Sequence, residues 1–187
     1  MTTQHQNITE AYLHEPKGVS TASANEAYLA DGASSGSWEK VSAHIGGYIV
    51  FDSATPAYQH SATTSDTVLD PTFVVSHAEQ FSAIGTPNAR LTYTGTPDRH
   101  CFLSFNASIK QAGGADRDIE LLYYKNGAAL EGSRVIRTTS TGSWGSVSTS
   151  YDLVLSTNDY IELCIKSSVA VTVDVAQAYL GIQGVPD

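Results

Sequence analysis

Residues 151–182 read YDLVLSTNDYIELCIKSSVAVTVDVAQAYLGI. Apolar and polar side chains alternate on both sides of the polar pair Asn158-Asp159, and a third alternating run follows Ser167-Ser168. A period of two residues marks a strand with one face in a core and the other outside. No catalytic motif lies in or beside the stretch, so it reads as part of a β-sandwich that binds or assembles.

Working outward, residues 99–110 (RHCFLSFNASIK) alternate in the same way, and Gly113-Gly114 interrupts them. Residues 118–125 (DIELLYYK) predict the next strand, with Ile119, Leu121 and Tyr123 on one face. Asn126-Gly127 follows directly. It predicts a hairpin, because both central positions of the favoured tight turn need positive φ. Residues 128–138 return, 139–145 form a loop holding Trp144, and 146–155 make another strand. Upstream, 45–51 (IGGYIVF), 72–75 and 91–93 read as strands, 81–85 as a short strand or tucked loop, and 53–66 as a polar loop. Short strands at regular spacing with no helical period predict an all-β antiparallel sandwich or jelly roll.

Residues 1–43 differ. Small residues and 31–38 (DGASSGSW) dominate, and apolar side chains have no sustained period. Such a segment cannot bury enough surface to offset its ordering entropy. The expected organisation is an extended N-terminal arm, 1–43, before a jelly-roll head, 44–187. The arm's anchors are Tyr12, Leu13, Tyr28, Leu29 and Trp38.

The 187 residues suit one domain plus an arm. A charged fraction of 16% and a net charge of -9 disfavour nucleic-acid binding, which needs Lys and Arg. No window has the ~20 apolar residues of a membrane-spanning helix, and the N-terminus lacks a signal-peptide pattern, so synthesis in a cytoplasm is expected. Under that expectation Cys101 and Cys164 are free thiols, Cys101 in phase with Leu103 and Phe105, Cys164 out of phase with Leu163 and Ile165. The sequons at Asn7 and Asn106 are then idle.

Catalytic and metal chemistry find little support. The six histidines (His5, His14, His44, His60, His77 and His100) lack the spacing of a zinc site and read as surface residues. No Gly-x-Ser-x-Gly elbow is present, and Glu120 and Glu162 read as residues of solvated strand faces. Asp116, Asp118 and Asp159 read as turn formers rather than calcium ligands. No enzyme, cofactor or metal is expected.

Four segments resemble the trimeric jelly-roll heads of the tumour necrosis factor and complement-head superfamily. They are 102–108 (FLSFNAS), 122–127 (LYYKNG), 155–163 (LSTNDYIEL) and 178–182 (AYLGI). In that superfamily the pattern is an aromatic-rich strand, a KNG hairpin, a glycine-aspartate corner and a closing strand. Asn158-Asp159 departs mildly from the corner. Residues 8–22, with 31–33 and 36–38, are similar to openings of structural proteins of tailed bacteriophages. The two resemblances together imply a virion component: a trimeric knob on the phage head whose arm binds the major capsid protein. A tail-fibre or spike tip that binds a host receptor is the alternative, with Trp144 as a stacking platform or simply tucked over the sandwich end.

Patterning also bears on the trimer. Phe102, Leu122, Tyr124 and Tyr179 all lie out of phase with the core set. Exposed apolar patches mark subunit contacts, and a cyclic trimer would cover them. These four are the expected trimer interface.

Overall fold

The computed structural model describes residues 26–32, 35–40, 45–52, 57–84, 90–96 and 98–185. The chain divides into two units, Met1–Ala43 and His44–Asp187. In the first unit, β1 (Glu26–Gly32) and β2 (Ser35–Lys40) pair antiparallel, with Tyr28 opposite Trp38 and Leu29 opposite Ser37. The sequence predicts no strand in this segment. Its apolar residues are too few to show a period. Of the expected arm anchors, Tyr12 and Leu13 lie outside the described residues.

Among the described residues the second unit holds thirteen strands, β3 (Gly46–Asp52), β4 (Tyr58–Ala62), β5 (Thr67–Val68), β6 (Val74–Glu79), β7 (Phe81–Ile84), β8 (Arg90–Tyr93), β9 (Arg99–Gln111), β10 (Arg117–Lys125), β11 (Ala128–Ala129), β12 (Val135–Thr139), β13 (Gly145–Leu155), β14 (Tyr160–Ser167) and β15 (Val171–Gly184). A 3-10 turn, Glu131–Ser133, separates β11 from β12. One sheet runs β13-β9-β15-β3-β6, with β4 also on β15. The other runs β11-β10-β14-β8-β7, with β12 on β10 and β5 on β14. All the named strand pairs are antiparallel. This is the jelly-roll sandwich that the alternating runs predict.

Between the sheets lies the core. Leu103, Phe105 and Ile109 of β9, Ile119, Leu121 and Tyr123 of β10, Ile161, Leu163 and Ile165 of β14, and Leu180 and Ile182 of β15 are among its buried members. β15 carries a bulge between Val175 and Gln177. The extra residue shifts the inward set from Val173 and Val175 to Ala178, Leu180 and Ile182, so one strand keeps apolar residues on the core across both halves. Gln80, at φ 58, separates β6 from β7 and carries the chain from one sheet to the other.

Several expectations need correction. The polar loop 53–66 contains β4, whose His60 points inward and is only 7% exposed. A histidine can occupy a core position when its ring nitrogens are satisfied, and His60 Nε2 lies 2.8 Å from Thr67 Oγ1. Hence His60 is not a surface residue. Glu162 is likewise buried rather than on a solvated face. Burial raises its pKa, against the opposing pull of Arg90. Glu120 stays half-buried and pairs with Arg134 and Lys166. The strand expected at 72–75 begins at Val74 and extends to Glu79.

Candidate functional site: the outer face of the six-stranded sheet

Strand register places the side chains of this face in rows. Across β13, β9 and β15, Asp152 stands opposite Phe102, and Phe102 opposite Gln183. In the next row Ser150, Ser104 and Gly181 lead to Tyr48 and His77. The row after that runs Ser148, Asn106, Tyr179, Val50 and Val74.

The middle of the face is aromatic. Tyr48 stacks on His77 with centroids 5.8 Å apart and leans on Tyr179, also at 5.8 Å. Gly181 permits this. A Cβ there would strike the Tyr179 hydroxyl and ring, so the tyrosine lies across the bare backbone toward Tyr48. Beyond the belt, three apolar side chains are about half exposed: Phe102 at 45%, Val154 at 48% and Val185 at 45%. Val154 stands opposite His100, and the Val185 amide donates to the His100 carbonyl at 2.8 Å, so the two valines flank one residue. His100 Nδ1 lies 2.9 Å from Asp152 Oδ1. At the sheet edge Val74 is 66% exposed.

The four residues expected to form one interface do not share a surface. Phe102 and Tyr179 lie on this face. Leu122 and Tyr124 belong to β10, in the other sheet. Leu122 is fully enclosed within the protomer, opposite Cys164 in register, and both sit outside the main core cluster. Tyr124 is half-buried and donates its hydroxyl to Asp66 at 2.7 Å. That bond, with burial and the Asp66 charge, pushes its pKa up to about 12. Alternation reports which side of a strand faces the core. It does not report which sheet holds the strand. Tyr48, His77, Val154 and Val185 were missed for a related reason. Their exposure depends on register between strands far apart in sequence, and only the out-of-phase positions of Tyr48 and Val154 hinted at it.

At the far end of the same face stands Trp144, 43% exposed, with Lys110 Nζ 4.8 Å from its ring centroid. It is neither tucked away nor fully open.

No family model matches the chain, and no curated protein matches it. Among solved structures it is similar to Eiger TNF from S. frugiperda, with a TM-score of 0.54 and 10% identity over 77% of this chain and 94% of that one. It is also similar to murine APRIL at pH 8.0, with a TM-score of 0.50 and 14% identity over 76% and 99% of the two chains. At such identities the likeness is one of fold, and the fold is the antiparallel β-sandwich jelly roll of tumour necrosis factor type.

Proposed function

We propose that the chain is a non-enzymatic structural protein that assembles as a homotrimer through the apolar part of this face. The observation that carries the reading is the concentration of Phe102, Val154 and Val185, about half exposed, beside the Tyr48–Tyr179 belt on one side of one sheet. Each such side chain left in water forgoes about 1 kcal/mol of burial. Apolar side chains exposed together on one face, here interspersed with His100, Asp152 and Gln183, are commonly covered in stable assemblies. Rotation about an axis beside the sheet covers all copies at once, and three is the subunit number that the resemblance to tumour necrosis factor heads implies.

The trimer then acts as a decoration knob on a phage head. Residues 1–43 bind the major capsid protein, and three arms per trimer multiply a weak contact into a durable one. Support for this part is the likeness of residues 8–22, 31–33 and 36–38 to phage structural proteins, together with the division of the chain at Ala43.

Light scattering on the purified full chain tests the assembly. The expected mass is three times the 19.9 kDa protomer, and a monomer at micromolar concentration overturns it. Capsid attachment is tested by adding the full chain, or one lacking residues 1–43, to undecorated heads. Only the full chain should sediment with them. Equal binding, or labelling confined to tails, rules out the decoration role.

A further inference from the structure

The outer face of the six-stranded sheet changes character along β9. Past the aromatic belt, Ser146 stands opposite Ser108. Lys110 then stands opposite Asp174, and Asp174 opposite Gln59. The neighbours are now hydroxyls, an amide and a charge pair, with one aromatic among them, Trp144.

This end is built rather than loose. Lys110 Nζ covers one face of the indole at 4.8 Å and lies 3.5 Å from Asp174 Oδ2. Asp174 Oδ1 accepts from Gln59 Nε2 at 2.9 Å. The Asp174 side chain is only 12% exposed. The loop before Trp144 is tied by Thr141 Oγ1 donating to the Gly114 carbonyl at 2.8 Å, and the strand after it by Arg137 Nη1 donating to the Ser146 carbonyl at 2.8 Å. An indole held in place yet 43% exposed is a preorganised surface.

We infer that Trp144 is the stacking platform of a saccharide site and that its ligand is a neutral pyranose. A pyranose has a flat face of C–H groups and a rim of hydroxyls. The exposed part of the indole matches the first. The Lys110–Asp174–Gln59 row matches the second, since a carboxylate accepts from hydroxyls while an ammonium and an amide donate to them. Charge decides against acidic sugars. Lys110 is already balanced by Asp174, and the chain carries -9 overall. With one indole face covered by Lys110, one ring can stack, so binding is weak, with a Kd on the order of 1 mM. The site stands apart from the trimer reading, because it lies at the opposite end of β9 from Phe102.

The test uses the full chain carrying Trp38→Phe, which leaves Trp144 as the sole fluorophore of the two tryptophans. Methyl glucoside, methyl galactoside and N-acetylglucosamine are titrated to about 50 mM, far above the expected Kd. Glucuronic acid and N-acetylneuraminic acid serve as acidic probes. A saturable blue shift with at least one neutral sugar is expected. Immobilised sugar should retain the chain, retain Asp174→Asn at least tenfold less well, and not retain Trp144→Ala. Lys110→Gln gives a second variant should Trp144→Ala fail to fold, and it too should bind less. No neutral sugar giving a saturable shift, response to acidic sugars alone, or undiminished retention of Asp174→Asn and Lys110→Gln overturns the inference.

Discussion

Asn126 Nδ2 donates to Asp159 Oδ1 at 2.6 Å, joining the turn after β10 to the corner before β14. Around this contact the two turns interlock. Asn126 Oδ1 accepts from the Tyr160 amide at 2.9 Å, and Asp159 Oδ2 accepts from the Ser156 amide at 2.8 Å. Lys125 Nζ reaches Asp159 Oδ2 at 2.7 Å. Asn126 and Asn158 take φ of 53 and 74, a region that asparagine tolerates better than most residues. Burial alone would raise the Asp159 pKa. The hydrogen bonds from Lys125, Ser156 and Asn126 outweigh it and hold the carboxyl below 3.8. A carboxyl depressed in the fold adds stability above its unfolded pKa, and that stability is lost as pH falls through the folded value. Asp159→Asn should therefore cost about 2 kcal/mol at pH 7. The deficit should shrink below about pH 4, where the unfolded carboxyl takes up its proton. Urea unfolding of both chains at pH 7 and pH 3 measures this, and an equal deficit at both would show the carboxylate charge to be irrelevant.

Association and stability should separate cleanly between the two sheets. Phe102→Ser with Val154→Ser removes two half-exposed side chains from the outer face. The double variant should keep the melting temperature of an isolated protomer and lose self-association at micromolar concentration. Leu122→Ala removes a fully buried side chain and should cost about 2–5 kcal/mol while leaving the subunit count unchanged. Light scattering and urea titration on the same samples distinguish them. A Leu122→Ala chain that dissociates without destabilisation would return Leu122 to the interface.

Much of the sandwich is legible in the sequence because alternation is a local signal. The runs at Cys101–Phe105–Ile109 and Ile119–Leu121–Tyr123 identify core-facing residues without any partner strand, and Asn126-Gly127 marks its hairpin. What cannot be read locally is pairing. β4 gives no signal because its inward residues are only His60 and the small Ala62, and the His60 partner Thr67 sits on another element. Leu122 and Phe102 carry the same pattern, yet one is enclosed and the other open, because the strands fall in different sheets. The Gln59–Asp174 contact joins residues 115 apart in the chain, so no motif announces the polar end of the face.

His60 should give the protein an acid-side stability slope of its own. Thr67 Oγ1 donates its single hydrogen to the Ile165 carbonyl, so it accepts from His60 Nε2–H. His60 Nδ1 is left to accept from the Tyr58 hydroxyl at 3.4 Å, a neutral tautomer. Burial lowers the His60 pKa, with Asp70 opposing. A base depressed in the fold is protonated first in the unfolded chain. Its stabilisation is complete above pH 6.5 and declines as pH falls from there toward the folded value. His60→Gln should flatten the stability profile between pH 7.5 and 5.5 and cost about 1–3 kcal/mol at the upper end through the imperfectly replaced bond. A profile as steep as that of the parent chain would assign the slope to other groups.

The two cysteines should report on opening of the fold. Cys101 and Cys164 are both free and buried, Cys101 in the main core and Cys164 against Leu122 on the other side of its sheet. Burial pushes the Cys101 thiol up to about 11, with Arg99 opposing and Asp152 adding. It pushes Cys164 up to about 12, with Glu162 and Asp66 adding. The reactive species is the thiolate, so both thiols should resist an aromatic disulfide reagent at pH 8 in the native protein and react fully in urea. Because Cys164 lies outside the main cluster, its cover can open without separating the sheets. A Cys101→Ala chain should therefore label faster under native conditions than a Cys164→Ala chain. Equal rates that track global unfolding would show that the Leu122–Cys164 layer opens only with the whole sandwich.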